Sequence, residues 1–233
     1  MKLQKETSMH GKWYDDACGT AFALELIGER WSLLIVREMM FGPRRFTDLR
    51  AGLPGISAKV LSERLEGLEK AGIAQRQMLP PPAATQVYGL TEWGLMADEV
   101  IMELGRWAAH SPLHDPTLPL SAASLMLSFR TMFDAARADG LVMTVGIRVG
   151  DEAFNIQIAN DILHAARGAA DKPQVTFSAP VASVIAGAVY GKIPLADLAP
   201  AGLQVSGDLG AAAEFIDLFH LPKKIACRGA SAI

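Results

Sequence analysis

The sequence predicts two domains of different class: a mainly α domain holding one β-hairpin, then an α+β domain. Three observations predict this. Residues 17–109 place apolar side chains at helical spacing, interrupted once, at 73–90, by two strand-like runs around Pro80-Pro81-Pro82. Residues 141–206 hold several alternating apolar runs set between helical stretches. Between the two halves, Pro112, Pro116 and Pro119 forbid a continued helix. The expected division is therefore 1–110, a Pro-rich linker at 111–119, and 120–233.

Composition narrows the classes. Half of the 233 residues are hydrophobic, enough for two packed cores. No apolar run reaches the roughly 20 residues that span a bilayer, and Met1-Lys2-Leu3-Gln4-Lys5-Glu6-Thr7 lacks the apolar stretch of a signal peptide. A cytoplasmic protein is expected. Cys18 and Cys227 sit near opposite ends, which is neither a disulfide framework nor a zinc spacing, and the five histidines show no metal-ligand pairing. The net charge is −3, yet between Arg30 and Arg76 nine basic residues face five acidic ones. A local basic face in an acidic chain is the footprint of a duplex binder.

In chain order, a polar lead-in ends near residue 16, and 17–27 reads as a helix with Phe22, Leu26 and Ile27 as core contacts, ended by Gly28. Residues 30–41 form a second helix, so apolar through Trp31, Leu33, Leu34, Ile35, Val36, Met39 and Met40 that burial on most sides is expected. Gly42-Pro43 stops it. Phe46, Leu49 and Leu53 then mark a short helix, broken by Pro54-Gly55. Ser57 offers an N-cap hydroxyl to the next helix, whose apolar stripe is Val60, Leu61, Leu65 and Leu68. The opposite face carries Lys59, Ser62, Glu63 and Glu66. Apolar residues behind and small polar or charged residues in front suit a helix that enters the DNA major groove, although an ordinary surface hairpin of helices has the same pattern. Gly72 supplies a left-handed cap.

Residues 73–79 and 85–90 predict the hairpin that follows, which in this position is a wing. Arg76, Thr85 and Gln86 are its polar candidates for contact with the phosphate backbone or the minor groove, and each also suits a hairpin that only covers the core. A long helix from Thr91 to Ala109 repeats Trp93, Met96, Val100, Leu104 and Trp107 on one side, a packing stripe that suits a second subunit. A dimer also matches the twofold symmetry of palindromic DNA sites.

Residues 18–110 resemble the HxlR family of bacterial winged-helix transcriptional regulators. The resemblance rests on Cys18, Leu26-Ile27-Gly28, Arg30-Trp31, Leu33-Leu34-Ile35, Gly42-Pro43-Arg44-Arg45-Phe46 with Leu49, Leu53-Pro54-Gly55-Ile56-Ser57, Val60-Leu61, Arg64-Leu65, Leu68-Glu69, Ala71-Gly72-Ile73, Tyr88-Gly89-Leu90-Thr91 and Gly94. It implies a homodimer that binds double-stranded DNA and pairs through its terminal helices. Read with the helical wheel, it assigns Lys59, Ser62 and Glu63 to base edges, and Arg44, Arg45, Arg50 and Ser57 to phosphates. Arg64 points partly to the apolar side and is expected to brace the helix. Some members sense oxidants through a cysteine at the position of Cys18. Here Gly19 stands where the family commonly has proline, and Asp15 and Asp16 are expected to raise the thiol pKa. A small buried residue is the plainer expectation for Cys18.

In the second half, 120–138 is mostly helical. Strands are expected at 141–149, 154–158, 174–177 and 203–206, and helices at 180–190 and 209–219. His164 falls in a segment read as helical. Asp151, Asp161, Asp171, His164 and Ser183 form no catalytic constellation, so neither an enzyme nor a cofactor is expected. Residues 120–222 resemble the sterol-carrier-protein type 2 fold through the strand pair at 141–158, Val175-Thr176-Phe177 with Val184-Ile185-Ala186-Gly187, and Leu203-Gln204-Val205-Ser206-Gly207-Asp208 before the last helix. The resemblance implies an apolar tunnel for a lipid-like effector, lined by Met126, Phe129, Phe133, Phe177, Ile185, Val189, Phe215 and Phe219. Each of these also suits a filled core. The reading is a homodimeric DNA-binding regulator with an apolar effector. The alternatives are a lipid carrier dimerised by its N-terminal domain, and a redox switch through Cys18.

Overall fold

The computed structural model describes residues 14–82 and 84–226, and the chain divides into two compact units between Ile101 and Met102. In the first unit the helices are α1 (Gly19–Ile27), α2 (Ser32–Met39), α3 (Phe46–Gly52) and α4 (Ala58–Lys70). The antiparallel hairpin β1 (Ala74–Met78) and β2 (Gln86–Leu90) follows, then α5 (Glu92–Leu95) and α6 (Ala97–Ala109). Ile35, Val36 and Met39 of α2, Leu49 and Leu53 around α3, and Leu61, Leu65 and Leu68 of α4 close one core. This is a winged helix: α3 and α4 joined by a turn, with the hairpin behind them.

Local chemistry explains the turn. Pro54 keeps Leu53 out of the helical region, at φ −124° and ψ 72°, and Gly55 takes φ +93°, which a side chain would resist. Ser57 then caps α4, its Oγ accepting from Val60 N at 3.2 Å. Arg44 exchanges two backbone hydrogen bonds with Tyr88, each 2.8 Å, so the chain entering α3 is stitched to the hairpin.

Several expectations are corrected. Phe22 is exposed, while Leu26 and Ile27 do reach the core. Trp31 lies at φ +82°, so α2 starts at Ser32 rather than Arg30, and Leu34 points to solvent, so α2 is buried along one side only. The expected long helix at 91–109 is two, because Met96 N turns back to Trp93 O (3.1 Å) and closes α5 early. The unit division falls inside α6, nearer the N-terminus than the Pro-rich linker. Arg106 Nη2 donates to Thr131 O at 2.9 Å, which ties the last half of α6 to the second unit.

The second unit orders as α7 (Ala122–Met132), α8 (Ala135–Ala138), β3 (Met143–Val149), β4 (Glu152–Ala159), β5 (Ile162–Arg167), β6 (Val175–Ala179), α9 (Ala182–Val189), α10 (Leu195–Leu198), β7 (Gln204–Gly207) and α11 (Leu209–Asp217). The sheet runs β5-β4-β3-β6-β7, with β3 and β6 parallel and the other neighbours antiparallel. Period-2 alternation sends Val145, Ile147, Phe154, Ile156, Ile158, Val175 and Phe177 to one face, where all are buried under α7, α9 and α11. Residue 164 is corrected: it lies in β5, an edge strand. Only Leu163 of that strand is buried, and Ala165-Ala166 favour helix locally, so pairing with β4 overrides propensity.

Candidate nucleic-acid interface

Because the apolar stripe of α4 is anchored in the core, its other face is open. Lys59, Ser62 and Glu63 are all exposed there, and Lys59 Nζ lies 3.9 Å from Glu63 Oε1, an i,i+4 pair. The hydroxyl of Ser57 caps the helix yet stays exposed, so its proton remains free to donate outward. On α3, Arg45 and Arg50 are exposed at opposite ends, and Arg45 N is met by Asp48 Oδ2 at 3.4 Å. Arg44 is half-buried, held by its backbone against Tyr88.

The remaining candidates separate from this group. Arg64 turns away from the open face: its Nη2 pairs with Glu29 Oε2 at 3.0 Å, bracing α4 against the turn before α2. Arg76 sits mid-strand rather than at the wing tip. Its Nε lies 2.9 Å from Glu69 Oε1 and its guanidinium 5.5 Å from the Tyr88 ring centroid, so a carboxylate already neutralises it. Thr85 and Gln86 do lie at the tip, where Thr85 O accepts from Leu79 N at 2.9 Å and Gln86 is exposed. Glu69 and Tyr88 carry part of the family resemblance but were not paired with Arg76 in the sequence, and Glu29, thirty-five residues before Arg64, was not named at all.

Cys18 departs most from expectation. It is exposed rather than buried, and it occupies the N-cap of α1. Hydrogen bonding to the Ala21 and Thr20 backbone, then to the Thr20 side chain, pulls its thiol below the usual range. Asp16, expected to raise it, is instead occupied, with Oδ1 accepting from Cys18 N at 2.9 Å. Cys227 lies outside the described residues.

In the second unit the apolar candidates meet. Phe129, Phe215 and Phe219 meet edge-on or tilted at centroid separations of 4.9–5.6 Å, Phe177 reaches Phe215 at 5.6 Å, and Phe133, half-buried, reaches Phe219 at 6.3 Å. Met126, Ile185 and Val189 are fully buried. The sequence reading missed a polar pair beside them, Ser128 Oγ to Tyr190 OH at 2.6 Å, where burial pushes the phenol pKa up. Among the described residues no group of three or more His, Cys, Asp or Glu could hold a metal ion, and no helix is long and apolar enough to cross a membrane.

Residues 26–114 match the family described as HxlR-like helix-turn-helix. The HTH-type transcriptional regulator YodB of Bacillus subtilis (strain 168) is 42% identical over 86 residues, which are 37% of this chain and 77% of that protein. The uncharacterized HTH-type transcriptional regulator Rv3095 of Mycobacterium tuberculosis is 44% identical over 85 residues, 36% of this chain and 53% of that protein. Among solved structures, the reduced form of YodB is 37% identical, covers 43% of this chain and 100% of its own, and superposes with a TM-score of 0.38. Its quinone-bound form is 38% identical, covers 38% and 93%, and gives 0.34.

Proposed function

Because the chain belongs to the HxlR-like helix-turn-helix family, we propose that it is a homodimeric, DNA-binding transcriptional regulator whose second unit binds an apolar effector. The observation that carries the DNA-binding part is the open face of α4, with Lys59, Ser62 and Glu63 exposed on a helix whose back is locked into the core. These three read base edges, while Arg44, Arg45, Arg50 and the Ser57 hydroxyl meet phosphates. Thr85 and Gln86 follow the backbone from the wing. Arg76, paired with Glu69, contributes only if that pair opens. The exposed stripe Trp93, Met96, Val100, Leu104 and Trp107 supports subunit pairing. An apolar effector of the α+β unit would enter by parting the aromatic cluster, whose rings fill the space between them, and it acts only as far as it binds the DNA-competent and incompetent states differently.

The test is enrichment of the full-length protein on a randomised duplex pool, followed by sequencing. The expected result is a palindrome with half-sites about one helical turn apart. Arg50→Ala should then weaken binding to all sequences about equally and lower the slope of log K against log salt by about 1. Recovery of no motif would overturn the regulator reading in favour of the lipid carrier.

A second reading, redox control through Cys18, is favoured by the exposure of that residue and by the amides that stabilise its thiolate. The thiolate is the reactive form. Alkylation of Cys18, read by mass spectrometry across pH, should show a midpoint below that of an ordinary cysteine, about 8.5. Cys18→Ser should abolish any oxidant response of DNA binding. A response that survives the substitution removes this reading.

A further inference from the structure

Residues 221–226 run back along the end of α6 and the turn after it, within the second unit. Ile225 N donates to His110 O at 2.9 Å, and His110 Nδ1 lies 2.9 Å from Lys223 O. Lys224 Nζ is 3.0 Å from Ala109 O, 3.0 Å from His114 O and 3.2 Å from His114 Nδ1. An ammonium has three protons and no acceptor, so these three partners use all of them. Ala109 O belongs to the last turn of α6, whose carbonyls lack partners within the helix and favour a cation. His114 Nδ1 can accept from an ammonium only while the ring is neutral and carries its proton on Nε2.

We propose that residues 221–226 form a proton-sensitive strap over the C-terminal end of α6, closed by Lys224 while His114 is neutral and released when His114 takes a proton. Protonation turns Nδ1 from acceptor to donor and sets two cations against each other at the 3.2 Å contact. The charged groups facing His114 are Lys224 from the strap and Asp115 from its own turn. Asp115 is held ionised by Thr117, whose N and Oγ1 lie 2.9 and 2.6 Å from Asp115 Oδ1. Its pull on the imidazolium is outweighed: burial first, then Lys224, keep the His114 pKa below its ordinary value. The closed strap therefore prefers the neutral ring. It is fully present above the ordinary imidazole value of about 6.5 and is lost as pH falls through the lower folded value. On the dimer reading above, the strap fastens the same helix that pairs the subunits.

Hydrogen exchange of the full-length protein, followed by mass spectrometry from about pH 5 to about pH 8 and corrected for intrinsic rates, tests the strap independently of any DNA or dimer assay. Peptides covering 221–226 should be protected at the upper end and lose protection progressively below about pH 6.5, while peptides from β3 and α7 stay protected. Lys224→Met should leave the segment unprotected at every pH. His114→Gln, whose amide oxygen accepts from the ammonium without titrating, should keep it protected throughout. Wild-type protection that is flat across the range, or His114→Gln losing protection as the wild type does, would overturn the proposal.

Discussion

Phe215→Ala is expected to destabilise the second unit by about 3–5 kcal/mol, the range for truncating a fully buried phenylalanine. The side chain is completely buried on α11 and is the hub of the aromatic cluster, with Phe219 at 4.9 Å and with Phe129 and Phe177 each at 5.6 Å. Its partners come from α7, from β6 and from the chain just past α11, so a cavity there cannot close by moving one side chain. Urea unfolding of the full chain measures the effect, with the two units read separately by circular dichroism and by hydrogen exchange of their own peptides. Phe133→Ala, half-buried at the edge of the cluster, should cost less. The same measurement separates a filled core from an open tunnel. A phenylalanine on the wall of an open tunnel keeps one face unpacked, and its loss would approach the roughly 0.5 kcal/mol of a surface position.

What could be read from the sequence follows from how far each determinant reaches along the chain. The Val60, Leu61, Leu65, Leu68 stripe, the Ser57 cap, the Leu53-Pro54-Gly55 break and the left-handed Gly72, at φ +74°, act within one or two turns, and each appears where the pattern puts it. The hairpin and the β3–β4 pair follow equally from local alternation. The misreadings share another cause. Phe22 and Leu34 continue apolar runs, but which side of a helix meets a partner is decided by elements distant in sequence. His164 lies beside alanines whose helical preference yields to a neighbouring strand.

Charge partners are set in the same way, by elements distant in sequence. Arg76, a candidate wing contact by its place in the hairpin, has Glu69, seven residues back, 2.9 Å from it. Arg64 has its partner, Glu29, thirty-five residues upstream. For Cys18, nearby acids are visible in the sequence, whereas the backbone groups that lower its thiol pKa come into place only once α1 is formed. The open face of α4 was legible because it is the complement of a local stripe. The partners of Arg64 and Arg76 were not, although the bracing role of Arg64 was expected from its place beside the apolar stripe.

On the proposed dimer, Val100→Glu is expected to shift the protein from dimer to monomer and to lower its affinity for any palindromic site accordingly. Val100, Leu104 and Trp107 lie at i, i+4 and i+7 on α6, and Trp93 and Met96 extend the row through α5. Ala97 and Ile101, on the flank of this row, pack on the core of the first unit. The row itself is open to solvent, with Val100 49%, Met96 72% and Trp107 76% exposed, an unusual density of large apolar groups for a surface helix. In a twofold interface each substitution appears twice, so one change introduces two carboxylates, each desolvated without a partner. At about 1–3 kcal/mol per unpaired polar group by protein mutational scales, the pair raises the dimer dissociation constant by on the order of 100-fold or more. Because Val100 is exposed in the single chain, its fold should be unaffected, within about 0.5 kcal/mol by chemical denaturation. Sedimentation velocity across a concentration series reads the association, and DNA titration at fixed salt reads its consequence. A Val100→Glu protein that still sediments as a dimer with the wild-type dissociation constant would show that this row is not the subunit contact. The apolar side chains along α5 and α6 would then need another partner.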